Sequence, residues 1–222
     1  MSRFVVEFGK DGTPPPVEGR LDAPAFHRNH AAIWEAIGPH LLECEGSVLE
    51  IGSGTGQHTV TFAPRSPLLT WYPSDILDSH LASIAAWRAE SGLSNVAEPQ
   101  RIDLTEPAWT WHPGGPLAAM LCINVLHISP WTVSENLIGG ASRFLSAEGR
   151  LFVYGPFMRD GAHTAPSNAA FDASLRAQNP AWGVRDTRDL AALAASHELT
   201  LADSTPMPAN NFVLAFARAK RS

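Results

Sequence analysis

The chain has 222 residues, 45% hydrophobic and 17% charged, the balance of a folded protein rather than a disordered one, and one domain of that length buries a core without staples. Sixteen Lys and Arg against 22 Asp and Glu leave a net charge of −6 with no basic block, which argues against a nucleic-acid partner. Cys44 and Cys122 make neither a disulfide framework nor a zinc spacing, the nine histidines include only one close pair, His27 and His30, and so no metal is expected.

In chain order, residues 1–25 carry Thr13-Pro14-Pro15-Pro16 and little periodicity, and are expected to form an arm or lid ahead of a single domain over 26–222. No apolar run reaches the roughly 18 residues of a membrane span, and the N-terminus has no signal-peptide stretch, so a cytoplasmic protein without a membrane partner is expected. Phe26, Ile33, Trp34, Ile37, Leu41 and Leu42 fall at helical spacing over 26–43. Ser47 to Ile51 reads as a strand running into Gly52-Ser53-Gly54-Thr55-Gly56 and a second helix. Strands are expected at 68–73, 99–104, 117–123 and 151–154, with helices at 77–90, 132–145, 168–178 and 187–197. The unbroken apolar run Leu117 to Ile123 suits a strand covered on both faces. Strands at 199–202 and 211–218, joined by a Pro-rich bend, suggest an antiparallel edge. Alternating strands and helices predict an α/β fold, a mostly parallel sheet with helices on both faces.

The glycine loop is the main chemical signal. It follows an apolar strand and opens a helix, so it lies at the carboxyl end of the sheet, where open α/β folds bind ligands. It lacks the Lys-Ser/Thr ending of a P-loop, and it reads Gly-x-Gly-x-Gly rather than the dinucleotide Gly-x-Gly-x-x-Gly. That spacing suits a nucleoside ligand without a pyrophosphate, such as S-adenosylmethionine (SAM). Asp75, about 20 residues on and just past the second strand, is in position to accept both ribose hydroxyls or to cap the next helix. Asp103, at the same end of the sheet, suits either an adenine amino group, with Leu104 on the ring, or a turn. Glu50 either organises the loop, meets the ligand's ammonium group, or is a solvated sheet-end residue.

Val48-Leu49-Glu50-Ile51-Gly52-Ser53-Gly54-Thr55-Gly56 resembles motif I of class I SAM-dependent methyltransferases. Further blocks extend the likeness nearly end to end: Arg28-Asn29, Gly54 to His58, Pro73-Ser74-Asp75, Asn124 with His127 to Trp131, Tyr154 to Phe157, His163 to Asn168, and Met207 to Asn211. Together they resemble a small methyltransferase-like family long filed as a domain of unknown function. The resemblance implies a Rossmann-like, doubly wound sheet of seven strands with an antiparallel last strand, and SAM binding that involves Gly52, Ser53, Gly54, Gly56, Gln57 and His58. Arg28 and Asn29 open the first helix and are expected to fold over the cofactor's carboxylate.

At the reacting end, Asn124, His127 and Tyr154 are the catalytic candidates. Asn124 lies just past the fourth strand, where a polar residue meets the transferring methyl. His127 is either a base or a buried histidine orienting a loop. Tyr154 either touches the substrate or sulfonium, or packs a helix. Trp131, Tyr154, His163, Ser167, Asn168 and Arg176 are expected substrate contacts. Arg176 suits an anionic group, with a surface salt bridge as the alternative. The expected activity is methyl transfer to a small molecule. A SAM-consuming cyclase that yields azetidine-2-carboxylate and methylthioadenosine, and a non-catalytic SAM binder, are the alternatives; oligomeric state is not legible.

Overall fold

The computed structural model describes residues 19–219. Most of the expected arm therefore lies outside the described residues, and the helix that ends it starts earlier than expected. It is α1 (Pro24–Leu41), with Pro24 at its first turn, where a missing N–H does no harm. Then come β1 (Gly46–Ile51), the short α2 (Gln57–Phe62), β2 (Leu69–Asp75), α3 (Asp78–Ser91), β3 (Gln100–Arg101), β4 (Leu117–Ile123), α4 (Trp131–Phe144) and β5 (Leu145–Arg159). The chain continues through β6 (Ala162–His163), α5 (Pro166–Gln178), β7 (Arg185–Asp186), α6 (Thr187–Ser196), β8 (Leu199–Met207) and β9 (Asn211–Arg218).

Seven strands form the main sheet in the order β3-β2-β1-β4-β5-β9-β8. Pairing from β3 through to β5 is parallel, and β9 runs antiparallel to both its neighbours. The order reverses between β1 and β4, and a crevice opens at that switch point beyond the strand ends. All seven residues of β4 are buried, as its apolar run requires. One face carries Ile33, Ile37 and Leu41 of α1 with Phe62 and Trp71. The other carries Leu137 and Ile138 of α4, Leu190 of α6, and Trp109 and Trp111 from the β3–β4 connection. Gly140 in α4 permits the closest of these approaches: a Cβ there would stand 1.9 Å from the Trp109 ring.

Two departures from expectation matter for the site. The fifth strand is far longer than 151–154, because it continues past Tyr154 to Arg159 and carries the small β6 and β7 on its extension. The third strand is reduced to two residues, Gln100 and Arg101, since the chain turns at Asp103 to line the crevice.

Candidate active site

The glycine loop is stitched to the end of β2. Ser53 N–H donates to Ser74 O (2.8 Å), Ser74 N–H to Ser53 Oγ (3.1 Å), and Ser74 Oγ–H to Glu50 O (2.7 Å). Gly52 sits at φ +66°, and a Cβ there would stand 2.6 Å from Val125 Cγ2, so only glycine lets the loop meet the segment after β4 this closely.

Two cavities meet at this loop and share Gly52, Gly54, Ile123, Asn124 and Ile128. The first is a narrow cleft of about 140 Å³ walled by Ile51, Ile76, Ile102, Leu104, Ile128 and Val133, with Asp75 and Asp103 on its rim. The second is a chamber of about 580 Å³, within the roughly 300–1,000 Å³ typical of small-molecule sites. Arg28 and Asn29 of α1, Glu50, His58, His127, Tyr154, Asn168 and Asn211 supply its polar lining, with Phe26 and Phe171 adding rings.

Asp75 is more committed than expected. Its Oδ1 accepts from Ile76 N–H (2.8 Å), Leu77 N–H (3.1 Å) and the His80 ring (Nδ1, 3.0 Å). Oδ2 accepts only Gly54 N–H (2.9 Å), so that oxygen alone has capacity for a ribose hydroxyl. The expected contact with the ribose hydroxyls therefore falls on that one oxygen, and the helix-cap alternative is corrected: the residue ahead of α3 is Leu77. Asp103 is at once a turn former, with Oδ1 accepting from the Thr105 N–H and hydroxyl, and a cleft residue.

Glu50 is 1% exposed, so the solvated sheet-end reading is excluded. Its Oε2 accepts the Thr59 hydroxyl, and burial raises its carboxyl to about 7 against the Thr59 and Ser53 hydrogen bonds. A buried carboxyl with hydroxyl partners and a chamber in front of it is matched to a cation. Burial holds His58 down at about 3, with His30 adding to it, and its Nε2 lies 2.9 Å from Asn29 Oδ1. Burial likewise holds His127 at about 4, with the Arg185 guanidinium adding to it. Both rings are neutral near pH 7. Asn124 adopts φ +59°, a left-handed conformation asparagine tolerates, and its N–H donates to Tyr154 O (2.9 Å). Burial raises the Tyr154 phenol, whose oxygen accepts from Asn211 Nδ2 (3.1 Å).

Several expected contacts lie elsewhere. Gly56 and Gln57 line neither cavity. Gly56 is glycine because a Cβ would stand 2.9 Å from Ile84 Cα, where α3 crosses α2. Gln57 is a fastener: its Oε1 accepts from Ala23 N–H and the Thr55 hydroxyl (both 2.9 Å), and its Nε2 donates to Asp22 Oδ1 (2.7 Å). Leu21 is tied in turn to Ser83 Oγ and to the Trp87 indole, so residues 21–23 strap α1 over the glycine loop. Arg176 and His163 point to Asp172, at 2.9 and 3.5 Å, rather than into the chamber. Burial opposes ionisation of Asp172, yet the Arg176 and Val184 N–H hydrogen bonds outweigh it and hold that carboxyl low. Ser167 is exposed on α5, and Trp131 packs beside Arg185. Of the α5 region only Asn168 and Phe171 reach the chamber. His80, Ile102, Phe26, Phe171 and Asn211 were missed as site residues: Phe26, Phe171 and Asn211 come to the chamber on elements far apart in sequence, while His80 and Ile102 stand beside Asp75 and Asp103 with no local mark that separates a cleft wall from a core position.

The strand order and the loop-bordered crevice define a class I methyltransferase-like fold. An O-methyltransferase family protein from Burkholderia thailandensis superimposes with a TM-score of 0.74 over 89% of this chain and 58% of its own, at 16% identity. An O-methyltransferase assigned in Nostoc punctiforme PCC 73102 gives 0.74 over the same shares at 18% identity. The SAM-dependent methyltransferase SibL gives 0.65 over 88% of this chain and 58% of its own, at 22%. The chain thus spans 58% of the length of each of these structures. Residues 20–218 match the family described as protein of unknown function (DUF938), and the chain belongs to that family.

Proposed function

We propose that this protein is a SAM-dependent methyltransferase acting on a small molecule. The observation that carries the reading is the junction at Asn124: a narrow apolar cleft with two carboxylates on its rim opens there into a wider chamber that carries more polar side chains. The residues fit SAM. Ile102, Leu104, Ile128 and Val133 form an apolar slot for adenine, with Asp103 for its amino group and Asp75 Oδ2 for a ribose hydroxyl. The buried Glu50 carboxyl is matched to the ammonium, and Arg28 with Asn29 to the carboxylate. Bound SAM supplies a methyl on a sulfonium, already activated toward displacement. The protein then needs to position an acceptor beyond Asn124, against Tyr154 and His127, and to exclude water with Phe26, Phe171 and Pro156.

Glu50 also supports the cyclase reading. A carboxyl near 7 is suited to take a proton from the substrate's own ammonium, freeing the amine for attack on the γ-carbon. Incubation with SAM and a mixture of small acceptors, read by mass spectrometry, tests both. S-adenosylhomocysteine with a methylated acceptor supports methyl transfer. Methylthioadenosine with a four-carbon cyclic amino acid supports the cyclase and overturns the first reading. SAM that leaves unbound on gel filtration overturns both.

A further inference from the structure

Beyond Asn124, among the described residues, His127 is the one side chain of the chamber wall able to take a proton from an acceptor. Its acceptor side is made by His127, Tyr154, Pro156, Asn168, Phe171 and Asn211. None is a carboxylate, a lysine or a cysteine. Tyr154 is a phenol that accepts a hydrogen bond from Asn211, and Asn168 Nδ2 donates to Thr164 Oγ1 and Asn210 O. His127 is the one candidate base. Its ring is wedged against Gly155, whose added Cβ would stand 3.3 Å from Nδ1, and edge-on to Phe171 with 5.5 Å between centroids. The two charged side chains lining the chamber, Arg28 and Glu50, are matched to the two ends of the cofactor's amino acid.

Resting on the methyltransferase reading, we propose that the acceptor attacks through an uncharged nitrogen or sulfur lone pair, so that methyl transfer conserves charge within the chamber and needs no base. The balance is simple. A C–N or C–S bond forms to the acceptor as the sulfonium C–S bond breaks. The bonding pair stays on the cofactor's sulfur, and the positive charge moves to the acceptor with no proton transferred. Hydroxyl acceptors would require a proton to leave into these walls. The low basicity of His127, set by burial and by Arg185, agrees with this assignment. The Phe171 ring suits a cationic product better than an anionic nucleophile.

The test compares two probes of one size, isoquinoline and 2-naphthol, with methyl-deuterated SAM. SAM retention is measured first on the same sample, and its absence overturns the methyltransferase reading and this inference together. With SAM retained, isoquinoline is expected to be methylated with a kcat/KM roughly 100-fold above that of 2-naphthol, the order of what a general base supplies. With SAM saturating, the rate should stay flat from about pH 7 to about pH 9, since the ring nitrogen is unprotonated throughout and no base titrates in the step. A second readout needs no turnover: in the presence of S-adenosylhomocysteine, N-methylisoquinolinium should bind more tightly than 2-naphthol by titration calorimetry, and Phe171→Leu should weaken it. Equal or faster methylation of 2-naphthol, methylation of neither probe by protein that holds SAM, or tighter binding of 2-naphthol overturns the inference.

Discussion

The cleft and the chamber share a glycine turn and Asn124, yet they are built in opposite ways. The cleft comes from consecutive pieces of one β-α-β-α-β unit: the ends of β1, β2 and β4 and the turn at Asp103. It is apolar, narrow and rimmed by carboxylates already engaged with backbone N–H groups. The chamber draws on α1, α5 and the β8–β9 bend, segments that meet only when the whole chain is folded. It is wider, and it mixes apolar walls with more polar side chains than the cleft carries. In the proposed reading the cleft takes the cofactor's nucleoside, and the chamber takes its amino-acid end together with the acceptor.

The sharpest way to break that contrast is on the cleft side. Asp75→Ala removes the acceptor of four donors, and SAM affinity should fall by at least ~100-fold, consistent with charge-assisted hydrogen bonds worth about 1.5–3 kcal/mol each. Calorimetric affinity within a few-fold of the parent would remove Asp75 from the cofactor site. On the chamber side, Asn124→Gly and Tyr154→Phe should lower kcat by roughly tenfold while SAM affinity changes less than about threefold, the split expected of groups that hold the reacting atoms. Asn124→Gly keeps the left-handed backbone, so the comparison is free of strain. Equal losses in affinity and kcat would merge the two regions functionally.

Glu50 lines the chamber beside the shared glycine turn, and its effect is set by pH. Its folded carboxyl titrates at about 7 against the ordinary 4.5, so the folded state holds an extra proton between those values. Its contribution to stability is full below 4.5 and is lost as pH rises through about 7. Glu50→Gln should flatten that loss in denaturant titrations across the window. The ionised carboxylate is the form that favours an ammonium, so SAM affinity should rise as pH climbs through about 7 and then level, and the Gln variant should show no such rise. A parent profile flat across that range would sever Glu50 from the ligand. The smallest effect is expected from Arg176→Ala, a half-exposed ion pair with Asp172 worth no more than ~1 kcal/mol, which should leave kcat/KM unchanged.

The same division explains what the sequence disclosed. β1 with its glycines, the buried run of β4 and β9 are local patterns, and they appear where periodicity and turn chemistry predict them, whereas β8 runs past the expected 199–202 to Met207 because its pairing with β9 carries it through the Pro-rich segment. Asp75 and Asp103 follow from their distance past a strand end. His163 and Arg176 were misread because a charged side chain in a polar segment looks alike whether it faces a pocket or a neighbouring helix, and Asp172 decides between them only in three dimensions. Phe26 and Phe171 looked like ordinary helix residues, because nothing local distinguishes a ring that packs a core from one that walls a cavity. Gln57 resembled a cofactor contact for the converse reason: a buried amide beside a glycine loop satisfies its hydrogen bonds with whatever the fold brings close.

That amide ties the two regions together. Gln57 grips the Thr55 hydroxyl of the glycine loop, the Asp22 carboxylate and the Ala23 N–H just ahead of α1, the chamber's wall. A ligand that settles the loop therefore settles the wall, and one that settles the wall tightens the loop. By linkage the factor by which one ligand strengthens the other must be identical in both directions. Positive heterotropic cooperativity between cofactor and acceptor, mediated by a single side chain that touches neither, is the consequence to expect of such a strap.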